Sequence, residues 1–192
     1  MEVQTGHSVS PERELLILVD TDDQETGTLS KVECHDGDGI LHRAFSVFLF
    51  NDRGELLLQR RSADKRLWPM YWTNTCCSHP RQGESMRIAM ERRLQQELNI
   101  GSALEFIYKF EYQARFGDLG SEHEFCWVYL GRLEREATAN DAEIAALRYA
   151  GAKTLQAEIE SDPDNYTPWF KMEWRHLNEE FPDRLAKYIN VA

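Results

Sequence analysis

Ser78-His79-Pro80-Arg81-Gln82-Gly83-Glu84-Ser85-Met86-Arg87-Ile88-Ala89-Met90-Glu91-Arg92-Arg93-Leu94-Gln95-Gln96-Glu97-Leu98-Asn99-Ile100 is the run whose reading decides the fold. After the Gly83-Glu84-Ser85 break, Ile88, Ala89, Leu94 and Leu98 form a partial apolar face, so a helix is predicted up to about Leu98. Immediately upstream, Tyr71-Trp72-Thr73-Asn74-Thr75-Cys76-Cys77 adds a thiol to the imidazole of His79. Pro80 restricts His79 away from helical geometry, which argues for a fixed loop before the helix. Cys77 and His79 are two apart, so the thiol can work beside whatever His79 binds.

Working outward, strands are expected at Leu15–Val19, 45–50, 55–60, 106–116 and 122–133, with hairpin turns at Asn51-Asp52-Arg53-Gly54 and Gly117-Asp118-Leu119-Gly120. Residues 33–43 read as irregular, and 134–149 as a charged connection. Helical patterns follow at 153–160 and 169–189, the second kinked near Pro182. Strands first, with helices between and after, point to an α+β or three-layer α/β domain. The 192 residues suit one domain spanning 1–192, with 1–14 as a flexible N-terminal extension.

Net charge is −11, which disfavours nucleic acid or an anionic membrane as partner. Yet Lys31, Arg43, Arg53, Arg60, Arg61, Lys65, Arg66 and Arg81 all fall in the first half, a pattern suited to a small anionic ligand. The longest apolar runs are too short to cross a bilayer, and no secretory signal is evident, so the chain reads as cytoplasmic. Four cysteines, Cys34, Cys76, Cys77 and Cys126, make no disulfide framework or zinc ribbon and leave a free catalytic thiol as an option.

His35, His42 and His79 lie in segments read as irregular, and Glu122 and Glu124 alternate onto one face of an expected strand, roughly 6 to 7 Å apart at the backbone. Three imidazoles and two carboxylates form a mixed N/O set. Such a set suits a six-coordinate divalent metal, Mn2+ or Mg2+, better than a tetrahedral structural zinc.

The run Ser78-x5-Glu84-x7-Arg92-Arg93-Leu94-Gln95-Gln96-Glu97-Leu98-Asn99-Ile100 has the spacing of the Nudix box, G-x5-E-x7-R-E-U-x-E-E-x-G-U. Ser78 stands for the first Gly, Arg93 and Gln96 for two acids, and Asn99 for the last Gly; only Glu84 and Glu97 remain of the carboxylates. The Cys-Cys-Ser-His stretch and this altered box resemble type I isopentenyl-diphosphate Δ-isomerase. So do Lys31-x3-His35-x6-His42, Arg60-Arg61-x3-Lys65-x-Leu67-Trp68-Pro69, Tyr112, Glu122-His123-Glu124 and Thr167-Pro168-Trp169. The resemblance covers roughly four-fifths of the chain, from about Leu15 to Trp174.

The resemblance implies a Nudix-type α/β/α sandwich with a mixed central sheet, interconverting isopentenyl and dimethylallyl diphosphate through a carbocation-like species in isoprenoid biosynthesis. It implies Cys77 and Glu124 as the acid/base pair, Tyr112 assisting Glu124, and Trp169 presenting its π face to the cation. Lys31, Arg61, Lys65, Ser78 and Arg93 would bind the diphosphate. His35, His42, His79, Glu122 and Glu124 would hold Mn2+ or Mg2+, with Zn2+ a third option. Glu97 would help hold a second Mg2+ bridged to the substrate. A monomer is the default. Two other readings stand beside this one: a Nudix pyrophosphohydrolase, which needs the missing acids for its Mg2+ ions, and a non-catalytic Nudix-like binding module.

Overall fold

A computed structural model describes residues 9–190. Its strands are β1 Leu15–Val19, β2 Glu25–Ser30, β3 His42–Phe50, β4 Leu56–Arg61, β5 Trp72–Thr73, β6 Cys76–Ser78, β7 Leu104–Phe116, β8 Gly120–Arg132 and β9 Ile144–Ala150. The helices are α1 Lys31–His35, α2 Met86–Leu98, α3 Ala152–Ser161, α4 Pro168–Glu179 and α5 Pro182–Ile189, with a single 3-10 turn at Pro163–Asn165.

Strand β3 organises the sheet. Along one edge it pairs in parallel with β8, from His42 opposite Glu124 to Phe50 opposite Arg132. It also meets β1 at His42, β6 at Phe45 to Val47 and β4 at Phe50, all antiparallel, so the sheet is mixed. Strands β7 and β8 form a long hairpin, and β9 pairs antiparallel with β4.

The β3 sequence explains its central place. Phe45, Val47 and Leu49 pack with Ala89, Leu94 and Leu98 of α2, while Ala44, Phe48 and Phe50 pack with Phe170, Trp174 and Leu177 of α4. Apolar residues on both faces are what a strand covered on both sides requires. The helices therefore lie on opposite faces of the sheet, as the expected sandwich demands. Burying a side chain such as Leu94 contributes about 1.5–3 kcal/mol.

Helix α2 starts at Ser85, whose hydroxyl accepts the Ile88 N–H at 3.4 Å. It ends at Asn99, which holds the left-handed conformation with φ 54°. Asn tolerates that conformation after Gly best among the common residues, so the exchange at the last Gly of the box keeps the cap.

Several local expectations change. Residues 31–35, partly inside the stretch read as irregular, form α1. Ser30 and Glu33 make a reciprocal capping box there, a signal present in the sequence as Ser-x-x-Glu. The fixed loop around Cys77 contains two short strands, β5 and β6. The connection 134–149 ends in β9, and the expected kinked terminal helix is two helices, α4 and α5. Of the expected flexible extension 1–14, residues 1–8 lie outside the described residues. Ser10 and Glu14 are buried, the latter paired with Arg81.

Candidate active site

Backbone pairing converges five side chains. His35 closes α1 and His42 opens β3. The parallel β3–β8 register sets Glu124 opposite His42, and strand alternation keeps Glu122 on the same side. His79 follows directly on β6, which runs along β3. Gly120 allows β8 to begin hard against α1, because a Cβ there would collide with the His35 carbonyl oxygen. One ligand atom from each of His35, His42, His79, Glu122 and Glu124 falls within 4.8 Å of all the others, and all five residues are buried.

Among these side chains alone the site is poorly satisfied. The Nε2 atoms of His35 and His42 face each other at 3.3 Å. His42 Nδ1 lies 2.7 Å from the Ile40 carbonyl, an acceptor, which assigns the proton to Nδ1 and turns the Nε2 lone pair inward. His79 Nδ1 has no hydrogen-bond partner among the described residues, while its Nε2 lies 2.8 Å from Glu124 Oε1. Glu122 Oε2 comes within 2.9 Å of His35 Nε2, yet it too lacks a properly aligned hydrogen bond.

Electrostatics tell the same story. Burial, then the neighbouring imidazoles, hold His42 well below its ordinary value, and burial followed by His35 pushes His79 down to about 3. Both rings are neutral and ready to ligate. Burial raises both carboxyls, but the His35 contact brings Glu122 below the usual range. Glu124 stays well above it, through burial and the Glu122 charge. A divalent cation would satisfy inward lone pairs and compensate crowded acids together, so the donor set fits one.

A cavity of about 250 Å³ opens beside this cluster and is lined by Cys77, Tyr112, Glu124 and Trp169. Strand alternation separates the vicinal cysteines: Cys76 packs against the α2 side, whereas Cys77 faces the α4 side and the cavity. Burial pushes the Cys77 thiol up to about 12, with Arg61 opposing, so the sulfur carries a proton at neutral pH. Tyr112 donates its hydroxyl to Glu124 Oε2 at 2.7 Å. Trp169 donates Nε1–H to Thr73 Oγ1 at 3.0 Å, and its ring carries the Arg61 guanidinium 5.3 Å from the centroid.

Lys31, Arg61, Lys65, Ser78 and Arg93 line the same cavity. Of the remaining first-half cations, Arg43 pairs with Asp23, Arg53 with Glu55 and Arg81 with Glu14. Arg60 donates to the Met70 carbonyl, whereas Arg66 lines the cavity. Glu97 is not on the cavity wall: its carboxylate is engaged by Arg93 and by Gln59 Nε2 at 3.3 Å. Glu84, the other remaining acid of the box, is held by Arg92 at 2.8 Å.

Ser10 and Glu12, which carry no motif signal in the sequence, line the cavity beside Lys31; Lys31 donates to Ser10 Oγ at 3.1 Å. Trp68 packs edge-on to Trp169, with ring centroids 5.2 Å apart. The buried carboxyl of Glu173 had no sequence signal beyond its place four residues after Trp169.

A NUDIX domain is matched over residues 40–170. Isopentenyl-diphosphate Delta-isomerase 1 of Photorhabdus laumondii is 38% identical over 175 residues, covering 90% of this chain and 99% of the relative. Isopentenyl-diphosphate Delta-isomerase of Halorhodospira halophila is 42% identical over 171 residues, covering 88% and 95%. Among solved structures, DR0079 from Deinococcus radiodurans superposes with a TM-score of 0.63 at 23% identity, over 77% of this chain and 90% of that one, a likeness of fold.

Sheet, altered box and buried donor cluster together define a member of the Nudix superfamily. Within it, the chain belongs to the isopentenyl-diphosphate Δ-isomerase family.

Proposed function

We propose that this chain interconverts isopentenyl and dimethylallyl diphosphate, as a step of isoprenoid biosynthesis. The observation that carries the reading is a protonated thiol, Cys77, and a carboxyl, Glu124, on the wall of one cavity that is also lined by cations. Alkene carbon is a poor base, so a proton donor must be held against it where water is excluded. Cys77 and Glu124 supply the two exchange sites. One gives a proton to an alkene carbon, leaving positive charge on the tertiary carbon, and the other takes a proton from the carbon across from it.

Tyr112 holds Glu124 through its hydroxyl and orients it toward the cavity. Trp169, with its edge fixed by Thr73, presents a face that already accommodates the Arg61 cation; a carbocation there would gain about 2 kcal/mol when desolvated. Lys31, Arg61, Lys65, Ser78 and Arg93 bind the diphosphate and hold it away from the reacting carbons. A divalent cation on the three histidines and two glutamates, Mn2+ or Mg2+ by its N/O donors and Zn2+ as a third option, would supply positive charge that fixes Glu124 and alters its proton affinity. Glu97 would help hold a second Mg2+ for the diphosphate only by giving up its contacts with Arg93 and Gln59. No described helix is long and apolar enough to cross a membrane. We place the enzyme in the cytoplasm.

Hydrolysis of a diphosphate is disfavoured by the same geometry. Arg93 occupies an acid position of the box, and Glu84 and Glu97 are both tied in ion pairs. The test is incubation with isopentenyl diphosphate and divalent metal in deuterated water. Deuterium in dimethylallyl diphosphate supports the reading; no product and no exchange, or release of inorganic phosphate, overturns it.

A further inference from the structure

We propose that Glu143 is a positioning residue for the substrate's diphosphate, set behind Lys65 and Arg93 to hold both cations toward the cavity. The inference rests on the reading that those two side chains bind the diphosphate.

The chain builds a dedicated turn to place this carboxylate. Asn140 receives α2 on one side, its N–H donating to the Glu97 carbonyl at 2.8 Å and its side-chain amide to the Gln96 carbonyl at 3.3 Å. The Asn140 side-chain oxygen then accepts the Ala142 N–H at 3.1 Å, and the Asn140 carbonyl accepts the N–H groups of Glu143 and Ile144, each at 2.9 Å. On the other side the Glu143 carbonyl accepts the Ser62 N–H at 3.0 Å, just past the end of β4. The turn therefore ties together the helix that carries Arg93 and the strand end that carries Arg61 and leads to Lys65.

The Glu143 side chain is only 1% exposed. One oxygen accepts the Val9 N–H at 2.7 Å. The other is paired with Lys65 Nζ and lies 3.6 Å from Arg93 Nη2. Lys65 and Arg93 line the cavity, as does Ala142 next door, whereas Glu143 does not. Arg93 also keeps Nε and Nη1 without a hydrogen-bond partner among the described residues, so it retains donors for a ligand after both acids are served.

A cavity that gathers Lys31, Arg61, Lys65 and Arg93 faces a physical problem: like charges repel and a desolvated lysine sheds its proton. Burial lowers Lys65, and the Glu143 charge opposes that fall. Placed behind the cations, the carboxylate holds them together and charged while keeping farther from the incoming anion than they are. Removing its charge leaves the half-buried Lys65 without its closest counterion, which weakens anion binding more than any later step.

The experiment compares wild type with Glu143→Gln, using steady-state kinetics on isopentenyl diphosphate and direct calorimetric binding of inorganic pyrophosphate. The expected result is a rise of about tenfold in both KM and pyrophosphate Kd, with kcat within about threefold. In a Lys65→Gln background, Glu143→Gln should add little, because its effect passes through Lys65. Should Glu143→Gln not fold, Glu143→Asp, which keeps the charge on a shorter arm, carries the test through an intermediate rise in the same two constants. Unchanged KM and pyrophosphate Kd in the folded variant, even with a lowered Tm, make Glu143 a fold clasp only and overturn the inference. A wild type that neither isomerises isopentenyl diphosphate nor binds pyrophosphate overturns the underlying reading as well.

Discussion

Tyr112 and Glu124 stand directly opposite each other in the β7–β8 hairpin, and the Tyr112 hydroxyl donates to Glu124 Oε2 at 2.7 Å. The sheet register thus fixes the carboxylate on one oxygen, leaving the other for His79 at 2.8 Å. This hydrogen bond favours the ionised form of Glu124, against burial and the Glu122 charge. Tyr112→Phe should lower kcat about 10- to 100-fold with little change in KM. The limb of the pH–rate profile governed by Glu124 should move to higher pH, because the lost donor had been stabilising the anion. An unmoved limb would show that Tyr112 acts elsewhere.

The cysteine pair offers a sharper contrast. Cys77→Ala removes the cavity-facing thiol proposed as a proton carrier and should cost at least about 10³-fold in kcat. Cys76→Ala empties a small volume in the α2 core and should cost about 1 kcal/mol of stability, with activity retained. Parallel assays and thermal melts of the two variants separate the roles. Equal loss of kcat in both would refute the assignment by strand alternation.

Much of this site was legible because its residues announce themselves locally. The altered box located α2, and Asn99 at the last Gly position kept a left-handed cap that the pattern anticipates. Glu-x-Glu on a strand gave the shared face of Glu122 and Glu124. Glu143 and Glu173 were invisible for the opposite reason: each is a common residue whose meaning comes from long-range partners, Lys65 in one case and Cys126 in the other. Strand β9, with the sequence IAALRYA and an intermediate burial pattern, lacks the β-branched run or clean alternation that marks a strand; pairing with β4 creates it. The five residues of α1 are too few for periodicity, though their capping box was readable.

Metal binding should stabilise the fold through His79. In the metal-free protein His79 and His42 are neutral and buried, with proton affinities depressed in the folded state. The unfolded chain takes up those protons below about pH 6.5, so stability is full above that value and is lost as pH falls toward about 3. Added Mn2+ should raise Tm in wild type at pH 7. His79→Ala should abolish most of that rise and lower bound metal, measured by elemental analysis. Retention of one tightly held ion in the variant would exclude His79 as a ligand.

Glu173 gives a pH dependence of opposite sign. Its carboxyl is fully buried on α4, with Oε1 3.5 Å from the Cys126 sulfur and Oε2 without a hydrogen-bond partner among the described residues. Burial pushes it up to about 8 from an ordinary value of 4.5, so the folded protein keeps this acid protonated at neutral pH. The unfolded chain ionises it above about 4.5, and unfolding therefore releases a proton throughout the interval up to about 8. Its contribution is fully present below pH 4.5, falls as pH rises, and levels off once the folded state also ionises. Glu173→Gln keeps the shape and stays neutral at every pH. Urea unfolding in chelator from pH 5 to 8.5 should show wild type losing stability relative to the variant by a few kcal/mol, on the order of 3. Parallel curves for the two proteins would mean that Glu173 titrates as an ordinary solvated acid, contrary to its burial.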